Sequence, residues 1–147
     1  MATPLTESEI RAMADEWFRK LDEHAAEVYL LPLLVPEGLV QKWPDYDVQN
    51  LADFEGWYQR ALRLFFDETH TLKEFKVTLN GDSSKADVKL VVNWDAKSWT
   101  PGAARSKHLW MDAYQTWEVV RSSATGKAAI KTILVDDIKL MPGSETL

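Results

Sequence analysis

From Ile10 to about Val28 the apolar positions recur at helical spacing: Ile10, Met13, Trp17, Leu21, His24 and Val28 fall three or four residues apart and share one helix face. Thr6 followed by Glu9 has the form of a capping box and sets the start of this helix. Between Leu30 and Trp43 the apolar pattern is broken by Pro32, Pro36 and Gly38, and Pro44 closes the segment. It therefore predicts a short helical turn and a short extended piece. Asn50 caps a second helix whose stripe, Leu51, Phe54, Trp57, Tyr58, Ala61, Leu62, Phe65 and Phe66, is wide enough to be buried on more than one side.

After Asp67 the period changes to two. Phe75, Val77 and Leu79 alternate with polar residues up to a tight turn at Asn80-Gly81-Asp82. A strand over about Lys85–Ser98 turns Ala86, Val88, Leu90, Val92 and Trp94 to one side, and a Pro101-Gly102 loop follows. The strand Trp110–Arg121 has two unlike faces: Met111, Ala113, Gln115, Trp117 and Val119 point inward, whereas Trp110, Asp112, Tyr114, Thr116 and Glu118 point outward. A last strand runs over about Ala128–Met141, and residues 142–147 are expected to fray. Helices followed by long hairpin-connected strands specify a single α+β domain over 1–147, with a meandering antiparallel sheet packed on helices. Strands this long curl, so one sheet face becomes concave.

Composition narrows the function. At 147 residues the chain buries roughly 70% of its unfolded surface as one domain. A net charge of −6 with scattered Lys and Arg provides no footprint for nucleic acid. No segment has the ~20 apolar residues of a membrane span, and the start MATPLTESE has neither basic region nor apolar run, so a cytoplasmic protein is expected. The absence of cysteine excludes thiol chemistry, the histidines lack metal-ligand spacing, and no glycine loop cradles phosphate; neither metal nor cofactor is expected. Seven tryptophans require a large core, a pocket or an interface.

The stretches WFRKLDEH (17–24), Trp57-Tyr58, His70, AYQTWEVVR (113–121) and LVDD (134–137), in this element order, resemble the nuclear transport factor 2-like, or SnoaL-like, superfamily over nearly the whole chain. The resemblance implies a cone of helices closed by a strongly curved sheet, a cystatin-like α+β barrel with a pocket inside. It also implies homodimers formed through the outer sheet face, where Trp110 and Tyr114 would lie. Members include isomerases, dehydratases, cyclases and epoxide hydrolases, so the fold does not select a reaction. The Tyr, Asp and His assembly of the dehydratases is matched in residue type by His24 and His70.

Within such a cone His24 is a candidate acid or base, since its unperturbed pKa of ~6.5 suits proton transfer, although a core histidine bonded to a carbonyl fits the same position. Asp136 and Asp137 end the last strand on opposite faces by alternation, so one of them would share the inner face with Gln115 as a general base, with a solvated strand end as the alternative. Trp17, Leu21, Trp57, Tyr58, His70, Trp94, Gln115 and Trp117 are the expected ligand-binding wall, with core filling as the alternative for the aromatics. The chain thus reads as a pocket protein for a small apolar molecule, either an acid/base isomerase, dehydratase or cyclase or a non-catalytic ligand-binding or dimeric interaction domain.

Overall fold

The computed structural model describes residues 3–147. Helix α1 spans Glu7–Asp22, and Thr6 Oγ1 caps it by accepting from the Glu9 N–H. Glu9 does not complete a reciprocal box. Its carboxylate instead accepts from Arg121 and from the Ala128 N–H. The expected continuation to Val28 is overturned, because α1 closes in a Schellman motif in which Ala25 N–H reaches Lys20 O and His24 N–H reaches Leu21 O. His24 takes the left-handed position of that motif with φ 51°, without the glycine that usually signals it. Short 3₁₀ turns at Glu27–Tyr29 and Leu31–Leu33 carry the chain onward and leave Val28 exposed.

Two short strands, β1 (Val40–Trp43) and β2 (Tyr46–Val48), precede helix α2 (Leu51–Leu64), whose first turn is capped by Asn50 Oδ1 accepting from the Asp53 N–H. Four long strands follow: β3 (Phe66–Leu79), β4 (Lys85–Ser98), β5 (Lys107–Arg121) and β6 (Ala128–Leu140). They form one sheet in the order β2-β1-β6-β5-β4-β3, antiparallel except where β1 runs parallel to β6. The first long strand thus begins earlier than alternation from Phe75 indicates, and it takes in His70. Residues 142–147, expected to fray, are tied back along β5: Ser144 Oγ accepts from the Trp110 N–H and Glu145 N–H donates to His108 O.

Of the four interruptions in the β3–β4 and β5–β6 ladders, two bear directly on which candidate residues face inward. Leu72 pairs with Val92 but Glu74 with Val91, so Lys73 is an extra residue in β3. Tyr114 pairs with Asp137 but Gln115 with Val135, so Asp136 is an extra residue in β6. Each such bulge shifts the inside–outside alternation by one residue. Before Lys73 the inward residues are therefore even-numbered, Glu68, His70 and Leu72, and after it they are Phe75, Val77 and Leu79.

The core fills the space between α1, α2 and the concave face. The inner stripe of α1, Ile10, Met13, Ala14, Trp17, Phe18 and Leu21, is buried against sheet residues such as Val88, Trp117 and Ile133. Full burial of each large apolar side chain contributes about 1.5–3 kcal/mol. Phe54 of α2 sits among Trp17, Trp57 and Tyr58 with ring centroids 5.8–5.9 Å away. Among the described residues no helix is long and apolar enough to cross a membrane.

Candidate functional site

The core does not fill the cone. A cavity of about 350 Å³ remains between the two helices and the sheet. Trp17, Phe18 and Leu21 of α1, Trp57, Tyr58 and Ala61 of α2, and Trp43 form its helical side; Val92, Trp94, Met111, Ala113, Val135 and Ile138 form its sheet side. Trp43 and Trp57 stack at 4.2 Å, and Phe65 meets the Trp94 ring edge-on at 4.9 Å. Such rings hold their positions by packing on each other and make much of the wall aromatic. Leu64 and Trp99, both exposed, and the salt-bridged Arg60 and Asp45 (2.7 Å) surround the opening.

Two carboxylate–histidine pairs meet this wall. In the first, Asp22, in the last turn of α1, accepts from His70 Nδ1 at 2.6 Å and from the His70 backbone N–H at 3.0 Å. An ionised carboxylate only accepts, so Nδ1 carries a proton, and in the neutral imidazole Nε2 then presents a lone pair. The His70 ring lines the cavity, stacks on Phe18 at 5.2 Å, and makes no hydrogen bond through Nε2 among the described residues. In the second pair, Glu68 lines the cavity while Oε2 accepts from His24 Nε2 at 2.5 Å and Oε1 from Trp94 Nε1 at 3.0 Å. His24 stands behind Glu68, outside the lining.

Tyr58 is committed differently. Its hydroxyl donates to Ala25 O at 2.5 Å, which ties α2 to the turn after α1. Burial, with the nearby Glu68 and Glu27 carboxylates adding to it, pushes its pKa up to about 12, so the proton stays on the phenol and only the ring faces the cavity.

Gln115 borders the cavity, whereas Trp117, fully buried behind it, does not; the expectation of Trp117 as a ligand contact is corrected, because Phe18 stacks over it at 5.6 Å and closes it off. Its role is to donate Nε1–H to Gln115 Oε1 at 2.9 Å.

Asp136 and Asp137 do not reach the cavity. Val135 and Ile138 both line it, so the two residues between them lie outside, and Asp136 accepts from Thr116 on the outer sheet face. The bulge at Asp136 is the reason, since it removes the alternation on which a one-in, one-out placement depends. His24, Gln115 and Asp136 consequently do not converge. Trp110 and Tyr114 are on the outer face as expected but only half-exposed: Trp110 Nε1 donates to Asn93, and Lys139 Nζ lies 4.9 Å from the Tyr114 ring centroid. Beside them Asp112 is buried between Lys73 (2.6 Å) and Asn93 (2.9 Å); burial pushes its carboxyl up, but these hydrogen bonds together with the Lys73 and Lys139 charges hold the pKa low. Among the described residues no group of three or more His, Asp or Glu is placed to hold a metal ion.

No protein-family model and no curated protein sequence matches the chain. Solved structures do. A nuclear transport factor 2-like superfamily protein from Salmonella enterica serovar Typhimurium superposes with a TM-score of 0.73 at 11% identity, covering 95% of this chain and 91% of the other. Two proteins from Novosphingobium aromaticivorans are similar at 15% identity: a proposed aromatic ring hydroxylase (TM-score 0.75, 95% and 92% covered) and a proposed scytalone dehydratase (TM-score 0.69, 95% and 88% covered). The chain therefore has the nuclear transport factor 2-like α+β fold, and its cavity occupies the inside of that cone.

Proposed function

We propose that this chain, with the fold of the nuclear transport factor 2-like proteins as premise, is an acid/base enzyme that moves a proton on an apolar, ring-containing molecule held in the cone. The observation that carries this reading is His70. Its ring lines an aromatic cavity and Nε2 has no partner among the described residues, while Asp22 holds Nδ1, which is how a base is oriented for transfer. The names of the two Novosphingobium proteins, a proposed dehydratase and a proposed aromatic ring hydroxylase, are in keeping with a cyclic ligand.

In this reading His70 Nε2 takes a proton from a substrate C–H made acidic by a neighbouring carbonyl. The proton then returns to another carbon, giving isomerisation, or leaves with a hydroxyl group as water, giving dehydration. Glu68, fixed by His24 and Trp94, places a carboxylate at the same wall and supplies a second proton-transfer group. Asp22 is a positioning residue that acts through His70.

The test uses no assumed substrate. The protein is incubated in D₂O with a panel of cyclic and aryl ketones, and deuterium uptake is followed by mass spectrometry. Protein-dependent uptake into at least one ketone is expected. Saturable binding without uptake into any of them overturns the enzymatic reading in favour of a ligand carrier. Asp22→Asn is expected to slow uptake by about 10- to 100-fold, mainly in turnover and with a changed pH profile, because the ring loses the acceptor that fixes its tautomer. A purely structural Asp22 would leave the pH profile unmoved.

A further inference from the structure

Gln115 is 6% exposed on the inner face of β5, and its side chain is a wall of the cavity. Trp117, two residues on and therefore on the same face, donates its indole N–H to Gln115 Oε1 at 2.9 Å. An indole nitrogen only donates, so this bond settles which end of the amide is oxygen. The amide nitrogen is the polar atom left over, and it makes no hydrogen bond among the described residues. Gln41 forms the same bond to Trp43, also at 2.9 Å, but does not line the cavity. The same device thus occurs twice, but Gln41 Nε2 is shut away without a partner among the described residues, whereas Gln115 borders the cavity.

A donor fixed in a cavity wall exchanges water for a ligand at least cost when the ligand brings an acceptor. We propose that Gln115 is a specificity-determining residue that recognises a carbonyl oxygen on the ligand. The inference rests on the reading of the cavity as a ligand site and adds the class of molecule bound there.

The distance from His70 refines that class. His70 pairs with Trp94, and Trp94 with Met111, which lies two strands from His70 and four residues before Gln115. With ~4.8 Å between strands and ~3.3 Å per residue, His70 and Gln115 are roughly 10–16 Å apart across the sheet. A carbonyl acidifies C–H bonds on neighbouring atoms, so the oxygen held by Gln115 is not the one that activates carbon at His70. It anchors the opposite end. The ligand is then an elongated molecule of two or more rings with two carbonyl groups, one held by Gln115 and a second beside the reacting carbon at His70, a size suited to about 350 Å³.

Equilibrium dialysis with 2-acetylnaphthalene and 2-isopropylnaphthalene, which differ in shape very little but only one of which has a carbonyl, tests this. The wild-type chain is expected to bind the ketone about tenfold tighter, the effect of one hydrogen bond to a buried donor. Gln115→Met is expected to abolish that preference while the hydrocarbon still binds as in wild type, which shows that the cavity is intact. Equal binding of the two probes to the wild type overturns the inference and leaves the proposed reaction standing, as does a preference that persists in Gln115→Met. Binding of neither probe overturns the inference together with the reading of the cavity as a site for aromatic ligands. Should Gln115→Met fail to fold, the wild-type comparison decides alone.

Discussion

His70→Asn is expected to lower ketone deuteration by at least about 100-fold, the usual contribution of a positioned general acid or base, while ligand affinity changes little. Asparagine keeps a polar group near the Asp22 carboxylate but has no atom at the position of Nε2, so the substitution removes the transferring atom more cleanly than it disturbs the wall. The loss belongs in kcat, because the walls that bind the ligand, Trp57, Trp94 and Met111 among them, come from other elements. Glu68→Gln separates the two possible bases. If His70 transfers the proton, Glu68→Gln has the smaller effect; if Glu68 does, the order of the two variants reverses and His70 becomes a wall residue. Full activity in His70→Asn would sink the assignment of the base outright.

The elements were legible in the sequence because their signals are local. Thr6 and Asn50 cap the two helices, and Val88, Leu90 and Val92 mark the inner face of β4 by plain alternation. The site was less legible because it depends on departures from local regularity. Alternation counted back from Phe75 puts residues 73, 71 and 69 on the inner face and Glu68 and His70 on the outer one; the extra residue at Lys73 reverses this. Glu68 went unrecognised for that reason, although an acidic residue beside a histidine two positions on was a usable hint. The same kind of bulge removed Asp136 and Asp137 from the pocket.

His24 shows the converse case. Read as a helical residue it points inward with Leu21, but a Schellman turn puts it in the left-handed region and swings its ring behind Glu68. It reaches the cavity wall only through Glu68, for a reason the stripe does not contain. Gln115 was legible as a polar residue on an apolar face. That its partner is Trp117, two residues along the same strand, follows from the period-two geometry and makes the amide a fixed donor.

Arg121→Ala is expected to destabilise the fold by about 2–3 kcal/mol, less than the 3–5 kcal/mol of a fully buried broken pair because this one is partly exposed. Its guanidinium holds both Glu9 oxygens at 2.7 and 2.8 Å and donates to the carbonyls of Thr3 (2.5 Å), Pro4 (2.9 Å) and Gly126 (3.1 Å). One side chain at the end of β5 thus fastens the segment before α1, in which Leu5 is buried, to the β5–β6 turn. The Arg121 hydrogen bonds, opposed by burial and helped by the Ala128 N–H, hold the Glu9 carboxyl below its ordinary value of 4.5. The folded chain therefore binds a proton at Glu9 less readily than the unfolded chain. The stabilisation from this pair is fully present above about pH 4.5 and is lost as pH falls through the lower folded value. Other lowered carboxyls, Asp112 among them, titrate in the same acid range, so the contribution of this clamp is read as a difference. Denaturant unfolding of wild type and Glu9→Gln should differ near neutrality and converge as pH falls through the lowered folded value of the Glu9 carboxyl, with Glu9→Gln adding little to Arg121→Ala. A constant gap between wild type and Glu9→Gln across that range would mean that the ion pair is not what fastens the segment, and that its backbone hydrogen bonds suffice.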